Sequence, residues 1–76
     1  MISPLEVERM VLAAIPDAKV EAYDMTGTAD HFEIIVTSES FRGKSLIEQH
    51  QMVFASVQHE MDKRIHAVKI KTRTPK

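Results

Sequence analysis

The segment that most constrains the fold is KSLIEQHQMVFASVQHEM, residues 44–61, which lies between two short stretches of alternating apolar residues. Its apolar side chains recur at steps of three and four residues, which is the period of one helical face. That stripe contains Leu46, Ile47, His50, Val53, Phe54, Val57 and Met61. A strand, a helix of this length and a second strand form a crossover connection. The sequence therefore predicts a parallel pair of strands.

The stretches on either side of this helix alternate as half-buried strands do. In FEIIVTS, the apolar residues Phe32, Ile34 and Val36 fall on one face. In the last stretch one face carries His66, Val68, Ile70 and Thr72, and the other carries Ala67, Lys69, Lys71 and Arg73. A weaker alternation in AKVEAYDM predicts a strand before the loop 25–31. The first two strands would then form an antiparallel hairpin.

A first helix is predicted in SPLEVERMVLAAIP. Ser3 is its N-cap, Pro4 takes the first helical position and Glu6 completes a capping box. Pro16 ends it. Its apolar face is predicted to contain Leu5, Val11, Leu12 and Ile15. The element order αββαβ predicts a two-layer α+β domain in which both helices cover one face of a three-stranded mixed sheet.

Composition limits the classes of function. With 76 residues, we expect one domain, 1–76. The sequence has no apolar run near the roughly 18 residues that span a bilayer and no secretory signal, so we expect a cytoplasmic protein without a membrane partner. It has no cysteine, which excludes disulfides and thiol chemistry. A net charge of −1 gives no overall attraction to nucleic acid.

No catalytic motif is present in the sequence, which lacks G-x-S-x-G, a P-loop and H-E-x-x-H. Asp24 and Asp30 flank the predicted hairpin loop. Acidic residues at such places usually cap the turn with their own carboxylates, so we assign them no catalytic role. We therefore expect a protein that is not an enzyme.

The four histidines have different expected roles. His59 is predicted to face solvent, and His50, on the apolar stripe, to be a core-edge residue. His31 precedes the inward-pointing Phe32, so we expect it to point outward or along the rim. The alternation groups His66 with Val68 and Ile70, which favours a buried histidine. A first strand residue can also lie at the rim, however, where a ring nitrogen stays accessible. His31 and His66 would then form half a metal site, because four ligands are usual and a partner must supply the rest.

Several spaced motifs resemble the BolA-like family. They are HFEIIVTSESFRGKSLIEQHQMVF and RIHAVKIKTRTP, which match the family from about residue 20 to residue 75. Phe41 and Gly43 match an F-x-G segment, His50 a helix histidine, and His66 the signature histidine. The resemblance implies the class II KH-like form of the αββαβ fold.

The same resemblance implies a function in iron–sulfur trafficking. BolA-like proteins pair with monothiol glutaredoxins and share a [2Fe-2S] cluster. The glutaredoxin provides its active-site cysteine and a glutathione thiolate, and the BolA partner provides the signature histidine and a second residue from the hairpin loop. Here these metal ligands would be His66 and His31. The isolated chain would bind no cluster and would be a monomer or a weak homodimer.

Nucleic-acid binding is the alternative, since KH-like folds bind nucleic acids. The candidate contacts are Arg42, Gly43, Lys44, Lys69, Lys71 and Arg73. The sequence FRGK has one glycine and is not a G-x-x-G loop, and Gln49 and Gln51 replace the basic residues that flank the helix histidine in the family. No aromatic residue interleaves the basic stripe to stack on bases. The stripe could also dock an acidic patch of a glutaredoxin, or be the solvated side of an edge strand.

Overall fold

The computed structural model describes residues 2–76, which form two α-helices, three strands and two short 3₁₀ turns. The elements are α1 (Pro4–Ala14), β1 (Lys19–Asp24), β2 (His31–Thr37), α2 (Leu46–Val57) and β3 (Ala67–Arg73). The 3₁₀ turns span Glu39–Phe41 and Gln58–Glu60, before and after α2. The predicted αββαβ order is therefore confirmed.

The sheet has the strand order β1-β2-β3. Strands β1 and β2 run antiparallel, with Val20 opposite Val36. Strands β2 and β3 run parallel, with Ile34 opposite Ile70. This is the predicted mixed sheet, and its central strand β2 buries Phe32, Ile34 and Val36 under the helices. Each end of β3 therefore lies beside one end of β2.

Both helices begin with a capping box, in which a serine hydroxyl and a glutamate carboxylate satisfy the first free backbone N–H groups. Ser3 and Glu6 cap α1 as predicted, and Ser45 and Glu48 cap α2. Helix α1 ends at Ala14, two residues before Pro16. None of the helices within residues 2–76 is long and apolar enough to cross a membrane.

The core lies between the helices and the sheet, and the predicted face of α1 is only partly correct. Val7 and Val11 are fully buried on α1, whereas Leu5 is 54% exposed and Leu12 is 37% exposed. Val7 and Val11 are one turn apart and point together at the sheet, as does Ile15 just after the helix. Because these residues face the sheet, Leu5 and Leu12 lie toward solvent.

The stripe of α2 is also only half buried. Val53 and Val57 are fully buried, but Leu46 is 63% exposed and Ile47 is 72% exposed. Phe54 is 36% exposed. Helix α2 packs on β3, which is an edge strand of the sheet. Within residues 2–76 no strand lies beyond this edge to cover the exposed part of the stripe.

Candidate metal centre

The hairpin loop is organised by Asp24. Its Oδ1 accepts hydrogen bonds from the backbone N–H groups of Thr26 at 3.2 Å and Gly27 at 2.9 Å. Its Oδ2 accepts one from the N–H of Ala29 at 2.9 Å. Gly27 and Ala29 have positive φ angles of 77° and 61°, which fold the chain tightly around the carboxylate. The prediction that Asp24 is a turn-forming residue is confirmed.

Asp30 joins the end of this loop to the start of β3. Its carbonyl oxygen accepts hydrogen bonds from the backbone N–H of His66 at 2.8 Å and of Ala67 at 3.3 Å. His31 follows as the first residue of β2, whereas the predicted loop included it, and it pairs with Ala67 in the register. The two histidines that are far apart in sequence therefore lie at the same rim of the sheet.

The expectation of a buried His66 is wrong. Strand β3 begins at Ala67, so His66 is a bend residue to which the alternation of the strand does not apply, and its side chain is 60% exposed. Its position is fixed by the residues before it. Ile65 is fully buried, and the guanidinium of Arg64 bonds both carboxylate oxygens of Glu60, at 3.0 and 2.6 Å.

The rings of His31 and His66 lie 6.1 Å apart, centroid to centroid, and are tilted by 47°. The side chain of His31 is 38% exposed, so both rings are accessible from the same side. Asp30 lies with them: its Oδ1 is 2.7 Å from Nδ1 of His31, and its Oδ2 is 3.7 Å from Nε2 of His66. The hydroxyl of Thr28 donates a second hydrogen bond to Oδ1 of Asp30.

These hydrogen bonds determine which ring nitrogen of His31 keeps a lone pair that could bind a metal. The hydrogen bond from Thr28 and then that from His31 lower the pKa of the Asp30 carboxyl, so it is ionised at neutral pH. An ionised carboxylate has no proton to donate, so Nδ1 of His31 must carry the hydrogen. In the neutral ring, Nε2 then keeps its lone pair. This is the carboxylate–histidine arrangement that orients metal-binding imidazoles in proteins.

The donor set fits half of a cluster site. No group of three or more histidine, aspartate or glutamate side chains in residues 2–76 is placed to hold a metal ion alone. Two imidazoles are, however, a known replacement for two thiolates on iron–sulfur clusters, as in Rieske centres. Two imidazoles such as His31 and His66 would fit a [2Fe-2S] cluster only if another chain supplied the remaining ligands.

Of the two basic side chains in the FRGK sequence, that of Arg42 is engaged within the chain. Arg42 forms a two-pronged ion pair with Glu39, at 2.7 and 2.8 Å, and its guanidinium donates to the carbonyl of Pro75 at 3.1 Å. Gly43 has a φ angle of 80°, which turns the chain so that the N–H of Lys44 reaches the carbonyl of Phe41 at 3.0 Å. These residues close the turn between β2 and α2.

The cations of β3 lie on its exposed face, as predicted. Lys69, Lys71 and Arg73 alternate with the half-buried residues of the strand. Nζ of Lys71 is 3.3 Å from Oε2 of Glu33 on β2. The contact of Arg42 with Pro75 places the FRGK turn beyond the C-terminal end of β3. The histidine pair is at the other end.

The remaining histidines agree with their expected positions. His59 is 62% exposed in the 3₁₀ turn after α2, and His50 is half-buried on the stripe of α2. Sequence reasoning missed Asp30, which it treated only as a turn residue. The signal that could have identified it is the Asp-His pair at residues 30 and 31 immediately before a strand, combined with a second histidine at the start of the strand parallel to it.

Known proteins share both the sequence pattern and the fold. The family described as BolA-like protein matches residues 13–76. Protein BOLA2 from Arabidopsis thaliana is 39% identical over 77 residues, covering 99% of this chain and 82% of BOLA2. The acid stress protein IbaG from Escherichia coli (strain K12) is 31% identical over 71 residues, covering 92% of this chain and 81% of IbaG. The DNA-binding transcriptional regulator BolA from the same strain is 25% identical over 77 residues, covering 92% of this chain and 73% of that protein.

Solved structures agree with this result. A bol-like protein from Babesia bovis superposes with a TM-score of 0.84 at 28% identity, covering 99% of this chain and 87% of that one. A bolA protein homologue from Coxiella burnetii superposes with a TM-score of 0.83 at 26% identity, covering 99% of this chain and 94% of that one. The two-layer fold with its mixed three-stranded sheet is thus the fold of these proteins.

Proposed function

The chain belongs to the BolA-like family, and from this premise we propose that it is a non-catalytic adaptor that shares a [2Fe-2S] cluster with a monothiol glutaredoxin. His66 and His31 are the ligands from this chain. The glutaredoxin cysteine and a glutathione thiolate are the ligands from the partner. The cluster is the cargo that the pair carries in iron–sulfur trafficking or in iron and redox regulation, and the proposed place of action is the cytoplasm.

The observation that carries this proposal is the accessible histidine pair with Asp30 between its rings. A histidine retained only for packing would be buried, whereas His66 is 60% exposed. Nearby, the carboxylate of Asp30 fixes the ring of His31 by a 2.7 Å hydrogen bond. Orienting a side chain in this way lowers the entropy that ligation would otherwise cost. The arrangement supports binding of a metal group that another chain also holds.

Each residue of the rim has a separate task in this proposal. His66 and His31 donate ring nitrogens to the cluster, and the [2Fe-2S] group, when bound, supplies redox-active iron. Asp30 accepts the Nδ1 hydrogen of His31, which in the neutral ring leaves the lone pair on Nε2. Protonation of either imidazole removes a lone pair, so acid competes with ligation. The relative IbaG is named an acid stress protein, which agrees with a proposed role in stress responses.

The experiment is a titration of cluster-loaded monothiol glutaredoxin with this chain, followed by visible absorption and circular dichroism. The wild-type chain is expected to change the spectrum until about one equivalent is added. The His66→Ala chain should leave it unchanged. His59→Ala is the matched control, because His59 is equally exposed but lies outside the rim, at 62% against 60%. Equal spectra with wild type and His66→Ala would refute cluster sharing.

Nucleic-acid binding is the second candidate function. The observation in its favour is the row of exposed cations Lys69, Lys71 and Arg73 on β3. A relative with 25% identity is also named a DNA-binding transcriptional regulator. Such binding would weaken steeply with salt, because each phosphate contact releases counterions. In a gel mobility-shift assay with nucleic acid, replacing Lys69, Lys71 and Arg73 by glutamine should then abolish the shifted band. His66→Ala should leave that band unchanged.

A further inference from the structure

We infer that the open edge of β3 is a docking site for an extended segment of a partner protein in which acidic and apolar residues alternate. In the part of the chain that the structure describes, residues 2–76, the strand order is β1-β2-β3 and β3 has a neighbouring strand on one side only. The N–H of Ala67 bonds Asp30 and the carbonyl of Arg73 accepts from Ser38, so the odd-numbered residues of β3 direct their backbone groups to β2. Along a strand, the backbone N–H and C=O groups of successive residues point to opposite sides. The N–H and C=O groups of Val68, Ile70 and Thr72 therefore face outward.

Helix α2 provides an apolar surface beside this edge. Ile47 is 72% exposed and Phe54 is 36% exposed, and both belong to the stripe that points past β3. Together with Ile70 they line an apolar groove of about 310 Å³, which His50 and Gln51 complete. Alternate side chains of a strand added to β3 would enter this groove, as in the addition of peptide strands to open sheet edges.

The opposite face of β3 determines the charge of the partner. Lys69, Lys71 and Arg73 project from it at every second residue, and the neighbouring carboxylate of Glu33 contacts Lys71. The other alternate residues of an added strand would lie directly beside these cations. Opposite charges in such cross-strand positions are favourable, and like charges are unfavourable. The partner segment is therefore apolar on one face and acidic on the other.

The same charges argue against a second copy of the chain as the occupant. Two β3 strands paired edge to edge would place six cations on one face, with no acidic residue from either β3. The groove also argues against nucleic acid, because it is apolar and the edge presents peptide donors and acceptors at strand spacing. The site is separate from the histidine pair, and His66→Ala should leave peptide binding unchanged.

The test uses a soluble peptide of about eight residues, in which glutamate and valine alternate, added to the ¹⁵N-labelled chain. Its composition-matched control has the glutamates in one block and the valines in another, and a second control has lysine in place of glutamate. The expected result is saturable binding of the alternating peptide alone, with the largest amide shifts at Val68, Ile70 and Thr72. Equal binding of the block peptide, shifts elsewhere or the absence of binding would overturn the proposal.

Two pairs of variants locate the contact. Ile47→Glu should weaken binding by about tenfold or more, whereas Leu46→Glu, which is also exposed but does not line the groove, should weaken it less than about twofold. Lys69→Glu should weaken binding similarly, while Lys19→Glu on β1 should not. Shifts of the same amides with a single-stranded oligonucleotide, or on raising the concentration of the chain alone, would replace the proposed occupant by nucleic acid or by a second copy.

Discussion

The two ends of β3 are each organised by one aspartate, and the two carboxylates have different partners. At the C-terminal end, Asp17 accepts hydrogen bonds from the hydroxyls of Ser38 and Ser40, and from the N–H of Glu39 at 3.1 Å. At the other end, Asp30 accepts from the hydroxyl of Thr28 and the ring of His31. Hydrogen bonds lower the pKa of both carboxyls, that of Asp17 mainly through Ser38 and that of Asp30 mainly through Thr28.

The two aspartates differ in whether their hydrogen-bond donors have a further polar atom that could bind another group. Hydroxyl and backbone donors around Asp17 are fully engaged in closing the junction between β1, β2 and β3, and one of them, Ser38, is completely buried. The imidazole bound to Asp30 retains a second nitrogen, and its side chain is 38% exposed. An aspartate carboxylate thus fixes a turn at one end of β3 and orients a candidate ligand at the other.

Outside the two proposed ligands, Asp30→Asn should give the largest effect on cluster binding. The amide NH₂ of asparagine can donate to Nδ1 of His31, which moves the hydrogen of the neutral ring to Nε2 and should lower the affinity for the shared cluster about ten- to a hundredfold. The measurement is the dissociation constant from the glutaredoxin titration, together with the ¹⁵N shifts of His31 in the free chain, which report its tautomer. Asp17→Asn is the matched control and should leave both unchanged. An unaltered tautomer in Asp30→Asn would contradict the role of Asp30.

Ser38→Ala should give the largest effect on stability. It removes a buried hydroxyl that donates to Asp17 and accepts from the N–H of Ser40 at 3.0 Å, and should lower the free energy of unfolding by about 1–2 kcal/mol. Thr28→Ala, at the exposed rim, should lower it by less than about 0.5 kcal/mol. Urea unfolding of the apo chain at neutral pH checks both. Equal losses of unfolding free energy in Ser38→Ala and Thr28→Ala would contradict the proposed difference between the two ends of β3.

Acid should destabilise the wild-type chain through Asp17. The folded-state pKa of this carboxyl lies below the usual aspartate value of 3.8. Its contribution to stability is therefore fully present above that value and is lost as the pH falls through the lower, folded-state pKa. The urea midpoint should fall more steeply below about pH 4 in the wild type than in Asp17→Asn, where this group cannot titrate. Parallel curves for the two proteins would contradict the structural role of Asp17.

Arg42→Ala should give the smallest effect. Arg42 and Glu39 form an exposed ion pair, which solvent and salt screen. We expect the urea midpoint and the cluster titration of this variant to match those of the wild type. A large loss in the cluster titration would mean that the FRGK turn takes part in the shared site.

The layers of the fold could be predicted because they depend on local periodicity. The three strands and two helices follow from alternation in residues such as Phe32, Ile34 and Val36, and from the capping box at Ser3. The parallel pairing of β2 and β3 follows from the length of the crossover. The rotation of each helix was predicted less well, because Leu5 and Ile47 lie on apolar stripes whose direction is decided by packing against the sheet.

The candidate site could be predicted only in part. The residues and the family resemblance identified His66 and His31. The exposure of His66 depends on β3 starting one residue later, at Ala67, and alternation cannot resolve a strand end to one residue. The role of Asp30 depends on the register that sets His31 opposite Ala67. The contact between Asp30 and His66 is long-range, so it becomes visible only once β2 and β3 are paired.

The central claim is that His31 and His66 bind the shared cluster. The measurement that tests it most directly is pulsed electron–nuclear double resonance (ENDOR) spectroscopy of the reduced cluster. The complex would contain unlabelled glutaredoxin and this chain labelled with ¹⁵N only in histidine. We expect ¹⁵N couplings from two imidazoles in the wild-type chain, from one in His31→Ala, and from none in His66→Ala, which does not take up the cluster. A spectrum without histidine ¹⁵N coupling, or one that neither substitution changes, would show that this chain does not ligate the cluster.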